Sequence, residues 1–276
     1  MKVRAVVAAG ALVLAAPKSA VAVWGGTPDG DDHPSVGGMF YDFDGSGTIS
    51  GDELGCSGSY AGTHGDHDVF LTAGHCLPPP EFDIPPEALN VSFDPDLRDG
   101  VASPIQAQDY HVMPGFGHDR GDLKDLGVLL LPPGSVDAAF DSPPPVQLPP
   151  EGHLDDLKRD GELKFRTVEV VGYGVTPVWE GAGPTTFEYD GIRQAGTSII
   201  TGLRPANVLY NQNPNGIGTG SGVCFGDSGS PQLDVETLTV MSVTSGGNRH
   251  CNAHNYNYRV DTPTAREFLG QFIALP

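Results

Sequence analysis

Cys224-Phe225-Gly226-Asp227-Ser228-Gly229-Ser230-Pro231 sets one serine between two glycines, directly after an aspartate. Glycines on both sides let the backbone turn tightly and leave the hydroxyl exposed. A serine hydroxyl is a poor nucleophile at neutral pH; it needs an adjacent base, and that base needs a group to orient it. The stretch Leu71-Thr72-Ala73-Gly74-His75-Cys76 offers the base, a histidine beside a cysteine that would fix it through a crosslink. Asp125 opens the apolar run Asp125-Leu126-Gly127-Val128-Leu129-Leu130-Leu131, a position suited to burial against that histidine. Asp122, just before it in a more polar turn, is the weaker alternative.

Together these segments resemble the trypsin/chymotrypsin-like serine peptidases, and among them the secreted bacterial type. The family signatures are T-A-A-H-C and G-D-S-G-G-P; here Gly74 replaces an alanine and Ser230 a glycine, both small for small. The order His75, Asp125, Ser228 is that of the chymotrypsin class, not of subtilisins or α/β-hydrolases. The resemblance implies a catalytic triad of these three residues and an oxyanion hole made by the amides of Gly226 and Ser228. Four cysteines leave three pairings open; the resemblance selects Cys56–Cys76 and Cys224–Cys251. It places the substrate-pocket floor at Gly222, with Val223 beside it, and the wall along Thr244, Ser245, Gly246 and Gly247.

Trypsin-like enzymes that cut after Lys or Arg carry an aspartate on that floor. No acid occurs between residues 211 and 225, so an apolar or small P1 side chain is expected instead, with Asp261 left open as a more distant acid. Val23-Trp24-Gly25-Gly26 resembles the family's mature I-V-G-G start, which implies that a freed Val23 ammonium pairs with Asp227. The family needs no cofactor for catalysis, acts on proteins or peptides, and is mostly monomeric.

The remainder of the chain reads as all-β. The 38 glycines and 25 prolines are spread without a period and mark many turns. Between them lie short β-prone runs at residues 69–72, 126–131, 168–171 and 238–243. Helical spacing is expected only at residues 264–274, with Ala265, Phe268, Leu269, Phe272 and Ile273 on one face. The resemblance turns this pattern into two packed six-stranded antiparallel barrels of the chymotrypsin type with a C-terminal helix. Residues 23–145 would carry His75 and Asp125, and residues 146–276 would carry Ser228. The proline-rich residues 142–150 suit the crossing, since proline lacks the amide donor that sheet pairing needs.

Residues 1–22 read as a secretory signal peptide: Lys2 and Arg4, a short apolar run, then Ala20-Val21-Ala22 as the cleavage site. Cleavage there would expose Val23 directly. No later segment is apolar enough to span a bilayer, so a secreted, extracellular product without membrane attachment is expected. The formal charge of −20 becomes more negative once Lys2, Arg4 and Lys18 are removed. Such a surface repels nucleic-acid phosphates and anionic lipid. Two functions of different kind follow, a secreted serine endopeptidase or a non-catalytic secreted binding protein on the same scaffold.

One stretch falls outside that reading. Residues 42–53, D-F-D-G-S-G-T-I-S-G-D-E, resemble an EF-hand calcium loop. Asp42, Asp44 and Ser46 stand at ligand positions 1, 3 and 5, Gly47 at 6, Thr48 at the carbonyl position, Ser50 at the water-mediated position and Glu53 at 12. Two adjacent glycines before the loop and Cys56 after it leave no room for the flanking helices. A structural calcium site and a polar hairpin turn are therefore both open.

Overall fold

Short runs rich in β-branched and aromatic residues, punctuated by glycine turns, become strands in the computed structural model, which describes residues 23–79, 82–178, 185–213 and 220–276. The leader expected at residues 1–22 lies outside the described residues. The strands of the first half are β1 (Thr27–Pro28), β2 (Val36–Tyr41), β3 (Leu54–His64), β4 (His67–Thr72), β5 (Leu89–Ser92), β6 (Ile105–Gln106), β7 (Asp109–Val112) and β8 (Gly127–Leu131). Two short helices follow, α1 (Ser135–Phe140) and α2 (His153–Asp160). Then come β9 (Thr167–Gly172), β10 (Thr176–Val178), β11 (Thr186–Glu188), β12 (Gln194–Leu203), β13 (Asn207–Asn211), β14 (Pro231–Asp234), β15 (Val240–Gly247), β16 (His254–Arg259) and the C-terminal α3 (Pro263–Leu269).

Two seven-stranded antiparallel sheets form the body. In the second, β12-β13-β16-β15-β14-β9 closes into a six-stranded barrel because β9 also pairs with β12. β1 adds to it from outside through Thr27 and Ala195. The first sheet, β6-β5-β2-β3-β4-β8-β7, curls into a half-barrel. Its edges β6 and β7 are adjacent in the chain but are not paired with each other, so no ring of hydrogen bonds closes it. The fold is thus the expected pair of β-barrel modules, with one closed and one open.

The two sheets share an apolar core running from Met39, Phe70 and Leu129 to Val243 and Phe268. A buried polar knot also ties them. The Arg193 guanidinium donates to Asp29 at 2.7 Å and to the carbonyls of Val36 and Phe93, both at 3.0 Å. The Tyr173 hydroxyl donates to the Asp94 carbonyl at 2.8 Å. His33 is held between Asp29 and Glu169, and these carboxylates outweigh its burial to raise its pKa to about 9.

The helices depart most from expectation. α3 begins as its sequence dictates, with Thr262 capping the Ala265 amide and Pro263 at the first turn. It ends at Leu269 rather than continuing to residue 274, because Gly270 follows. Ile273 is nonetheless buried and Phe272 packs on the core from the irregular tail. The short helices α1 and α2 start after left-handed glycines, Gly134 and Gly152. At six and eight residues, both are too short to show a helical period.

Candidate active site

The cleft where the two sheets meet gathers the segments singled out in the sequence. His75 sits in a single helical turn just after β4, and Asp125 lies just before β8. β4 and β8 pair along their length, with Thr72 opposite Gly127, and this register carries the two side chains together. His75 Nδ1 lies 2.9 Å from Asp125 Oδ2, and the His75 backbone amide donates to Asp125 Oδ1 at 2.8 Å. The Ser245 hydroxyl donates to the same carboxylate. Asp125 is buried, whereas the His75 side chain is 35 % exposed. With a carboxylate at Nδ1, that nitrogen carries the proton and Nε2 is left as the free base. Asp122, the alternative acid, instead accepts from the Tyr258 hydroxyl at 2.7 Å.

Ser228 enters the same cleft from the second sheet, on a loop fixed from several directions. The Ser57 amide donates to the Ser228 carbonyl at 2.7 Å, and the Ser57 hydroxyl donates to the Gly226 carbonyl at 2.9 Å. The Gly229 amide donates to the Thr244 carbonyl at 2.8 Å. Gly229 is left-handed, φ 85°, and a Cβ there would lie 2.0 Å from Thr72 Oγ1 and 2.2 Å from the Ser57 carbonyl oxygen. No other residue fits. The departure at Ser230 is accommodated, since its buried hydroxyl meets Thr244 Oγ1 at 3.0 Å.

The Val175 amide donates to the Phe225 carbonyl at 2.7 Å. In a trans peptide this turns the Gly226 N–H the opposite way. Among the described residues, the amides of Gly226 and Ser228 have no protein acceptor. Both amides therefore stand free of the protein beside Ser228, which is half-buried in the cleft.

Disulfides join Cys56 to Cys76 and Cys224 to Cys251. The first ties β3 to the His75 turn; the second ties the serine loop to the end of the β15–β16 connection. By loop-closure entropy such crosslinks stabilise by about 3 kcal/mol each.

Asp227 is fully buried, and its two carboxylate oxygens accept from the amides of Gly174 and Cys224, both at 2.8 Å. Burial pushes its pKa up to about 7, against the pull of those two amides. Among the described residues no cation contacts it. Val23 is also buried, with Val170 and Val223, and Trp24 bridges to Gly222 beside the serine loop.

The cleft measures about 480 Å³. Val223, Ser245 and Gly246 line it, together with Gly226, Ser228 and His75. Gly222 does not. A Cβ on Gly222 would lie 2.9 Å from Gln212 Cγ, so the Gln212 side chain occupies the place assigned to the floor. Gln212 and Tyr256 both line the cleft and were missed in the sequence, where no motif marks them. Asp261 is buried elsewhere, paired with Arg259 at 2.8 Å and bonded to the Leu154 amide.

The loop of residues 42–53 forms the β2–β3 hairpin connection, flanked by strands and not by helices. Carboxylate oxygens of Asp42, Asp44 and Glu53 lie within 4.8 Å of one another. Asp42 accepts from the amides of Ser46 and Gly47, and Glu53 from the amide and hydroxyl of Ser50. The Ser46 hydroxyl turns inside the loop to the Thr48 carbonyl at 3.2 Å.

No curated protein matches the chain. Among solved structures it is similar to the VesB protease of Vibrio cholerae, at 16% identity and a TM-score of 0.60, covering 90% of this chain and 67% of that one. It is equally similar to human heparin binding protein, at 17% identity and a TM-score of 0.61, covering 90% of this chain and 95% of that one. These likenesses show a shared fold; one neighbour is named for proteolysis and the other for binding, so they leave the activity to the site. The sequence model of the trypsin family matches residues 39–269, most of the chain, and the chain belongs to the trypsin family.

Proposed function

We propose that the protein is a secreted serine endopeptidase. The observation that carries this reading is the convergence of three chemically complementary groups on one cleft: a buried carboxylate on His75 Nδ1, a free Nε2, and Ser228 beside two unused amides. In the reaction, Ser228 Oγ attacks the scissile carbonyl carbon while His75 Nε2 takes its proton. The tetrahedral oxyanion rests on the Gly226 and Ser228 amides. The C–N bond then breaks, His75 returns the proton to the leaving amine, and an ester on Ser228 remains. Water, deprotonated by His75, hydrolyses that ester. Asp125 holds the imidazole tautomer and balances the imidazolium charge. The competing reading, a binding protein on this scaffold, predicts no turnover. Hydrolysis of a casein or peptide-library substrate by wild type but not by Ser228→Ala supports the enzyme; equal absence in both supports the binder.

Export through the signal at residues 1–22 frees Val23. Its ammonium then pairs with Asp227, the one acid of the serine loop, a costly contact that would lock the loop. N-terminal sequencing of the active secreted protein tests this, and a start anywhere but Val23 removes the idea.

We also propose a structural calcium ion in the β2–β3 loop, held by Asp42, Asp44, Ser46, the Thr48 carbonyl, Ser50 through water, and Glu53. The support is that the ligand spacing, read along the chain, and the approach of three carboxylates, read in space, fall on the same residues. Titration calorimetry is the test, with no heat at millimolar calcium excluding the ion.

A further inference from the structure

Gln212 lies just past the end of β13, is only 2 % exposed, and forms part of the catalytic cleft. Its amide is pinned at one end. Nε2 donates to the Val223 carbonyl, which fixes which end of the carboxamide is oxygen, and the backbone amide donates to the Ala253 carbonyl at 2.7 Å. The other end, Oε1, is buried and has no hydrogen-bond partner among the described residues. A buried acceptor left unpaired is costly unless something else completes it.

The surroundings show that this placement is built. Gly247 faces the same amide: a Cβ there would stand 3.0 Å from Oε1 and 3.1 Å from Nε2. With the close approach at Gly222, two glycines leave the space that this one side chain fills. No acid lines the cleft among the described residues, so a cationic side chain entering it would meet no counter-charge. Tyr256 lines the same cleft, and its hydroxyl stands 2.6 Å from where a Gly246 Cβ would be.

We propose that Gln212 determines specificity, and that the S1 cleft selects a neutral P1 side chain ending in a carboxamide, glutamine or asparagine. The P1 amide N–H donates to Gln212 Oε1, and its carbonyl accepts from Tyr256. This rests on the peptidase reading above and stands in place of the apolar or small P1 side chain expected from the sequence.

The test uses peptides identical except at P1, carrying Gln, Asn, Leu, Ala or Lys, with active sites counted by fluorophosphonate titration. Wild type is expected to favour Gln or Asn over Leu in kcat/KM by roughly ten- to hundredfold, the discrimination that an unpaired buried acceptor imposes. Gln212→Leu should reverse that order, and Gln212→Glu, of the same length, should bring Lys to the front. Wild type that titrates normally but cleaves after Leu, Ala or Lys at least as well as after Gln overturns the inference while leaving the peptidase reading intact. So does a Gln212→Leu variant that titrates normally and keeps the carboxamide preference. Wild type that takes up no fluorophosphonate removes the peptidase reading, and this inference with it. If Gln212→Leu fails to fold, the wild-type profile still decides.

Discussion

The Ser228 loop and the β2–β3 loop are both glycine-rich turns built round a buried aspartate, but they are held differently. The serine loop is fixed largely from outside. Gly174 holds Asp227, Ser57 grips the Ser228 and Gly226 carbonyls, Thr244 takes the Gly229 amide, and Cys251 crosslinks Cys224. In the β2–β3 loop, the amides on the Asp42 carboxylate come from Ser46 and Gly47 of the same loop, and Glu53 is held by its neighbour Ser50. Three carboxylates crowd together there. A catalytic loop must be right before substrate arrives, so the rest of the fold supplies its order. An ion-binding loop can leave part of its order to the ion.

Changes in the serine loop should therefore alter catalysis, and changes in the β2–β3 loop stability. The largest effect expected is Ser228→Ala, which should lower turnover about a millionfold with the melting temperature unchanged. Full residual activity would mean that another serine is the nucleophile. Asp125→Asn keeps the shape of the site and should cost about ten-thousandfold in kcat, the size of the equivalent change in the family. If Asp122→Asn is the damaging substitution instead, the acid is misassigned.

Asp227 sharpens the comparison through pH. Its folded pKa of about 7 is raised above the unfolded value near 3.8. The stability it contributes is thus complete below about pH 4 and is lost as pH rises toward 7, with a slope of at most about 1.4 kcal/mol per pH unit. Chain that keeps residues 1–22 should show this decline in urea melts. Protein beginning at Val23, if its ammonium pairs with the carboxylate as proposed, should not, and neither should Asp227→Asn in the longer chain. A decline of the same size in the Val23 form would break the proposed pairing.

The smallest effect belongs to calcium. A ligand that binds only the folded state stabilises it by about 2.7 kcal/mol at a hundred times its dissociation constant. Chelation should lower the melting temperature while kcat at 25 °C stays unchanged, and Asp42→Ala with Glu53→Gln should erase the response. A chelator that abolishes turnover without changing the melting temperature would invert the contrast between the two loops.

What could be read from the chain is what short-range chemistry controls. The residues around His75, Asp125 and Ser228 are marked by glycine, cysteine and apolar neighbours whose spacing reflects local turns, and the strands around them follow the same short-range pattern. Other features depend on contacts between distant segments. The space Gln212 fills is left by Gly222 and Gly247, and no local pattern ties the three together. Ser57 reaches the serine loop only because β3 passes beneath it. The Ser245 bond to Asp125 spans the two sheets. Whether a curled sheet closes depends on its edge strands, and β6 has only two residues to offer. α1 and α2 are too short to show a period.

The central claim is that Ser228 is a nucleophile activated by His75. Mass spectrometry of the intact protein after brief exposure to a fluorophosphonate tests it most directly, followed by peptide mapping of the adduct. The account predicts one adduct per chain, on Ser228, absent in Ser228→Ala and at least about a thousandfold slower to form in His75→Ala. An adduct on another serine, or equal labelling of wild type and His75→Ala, would contradict it.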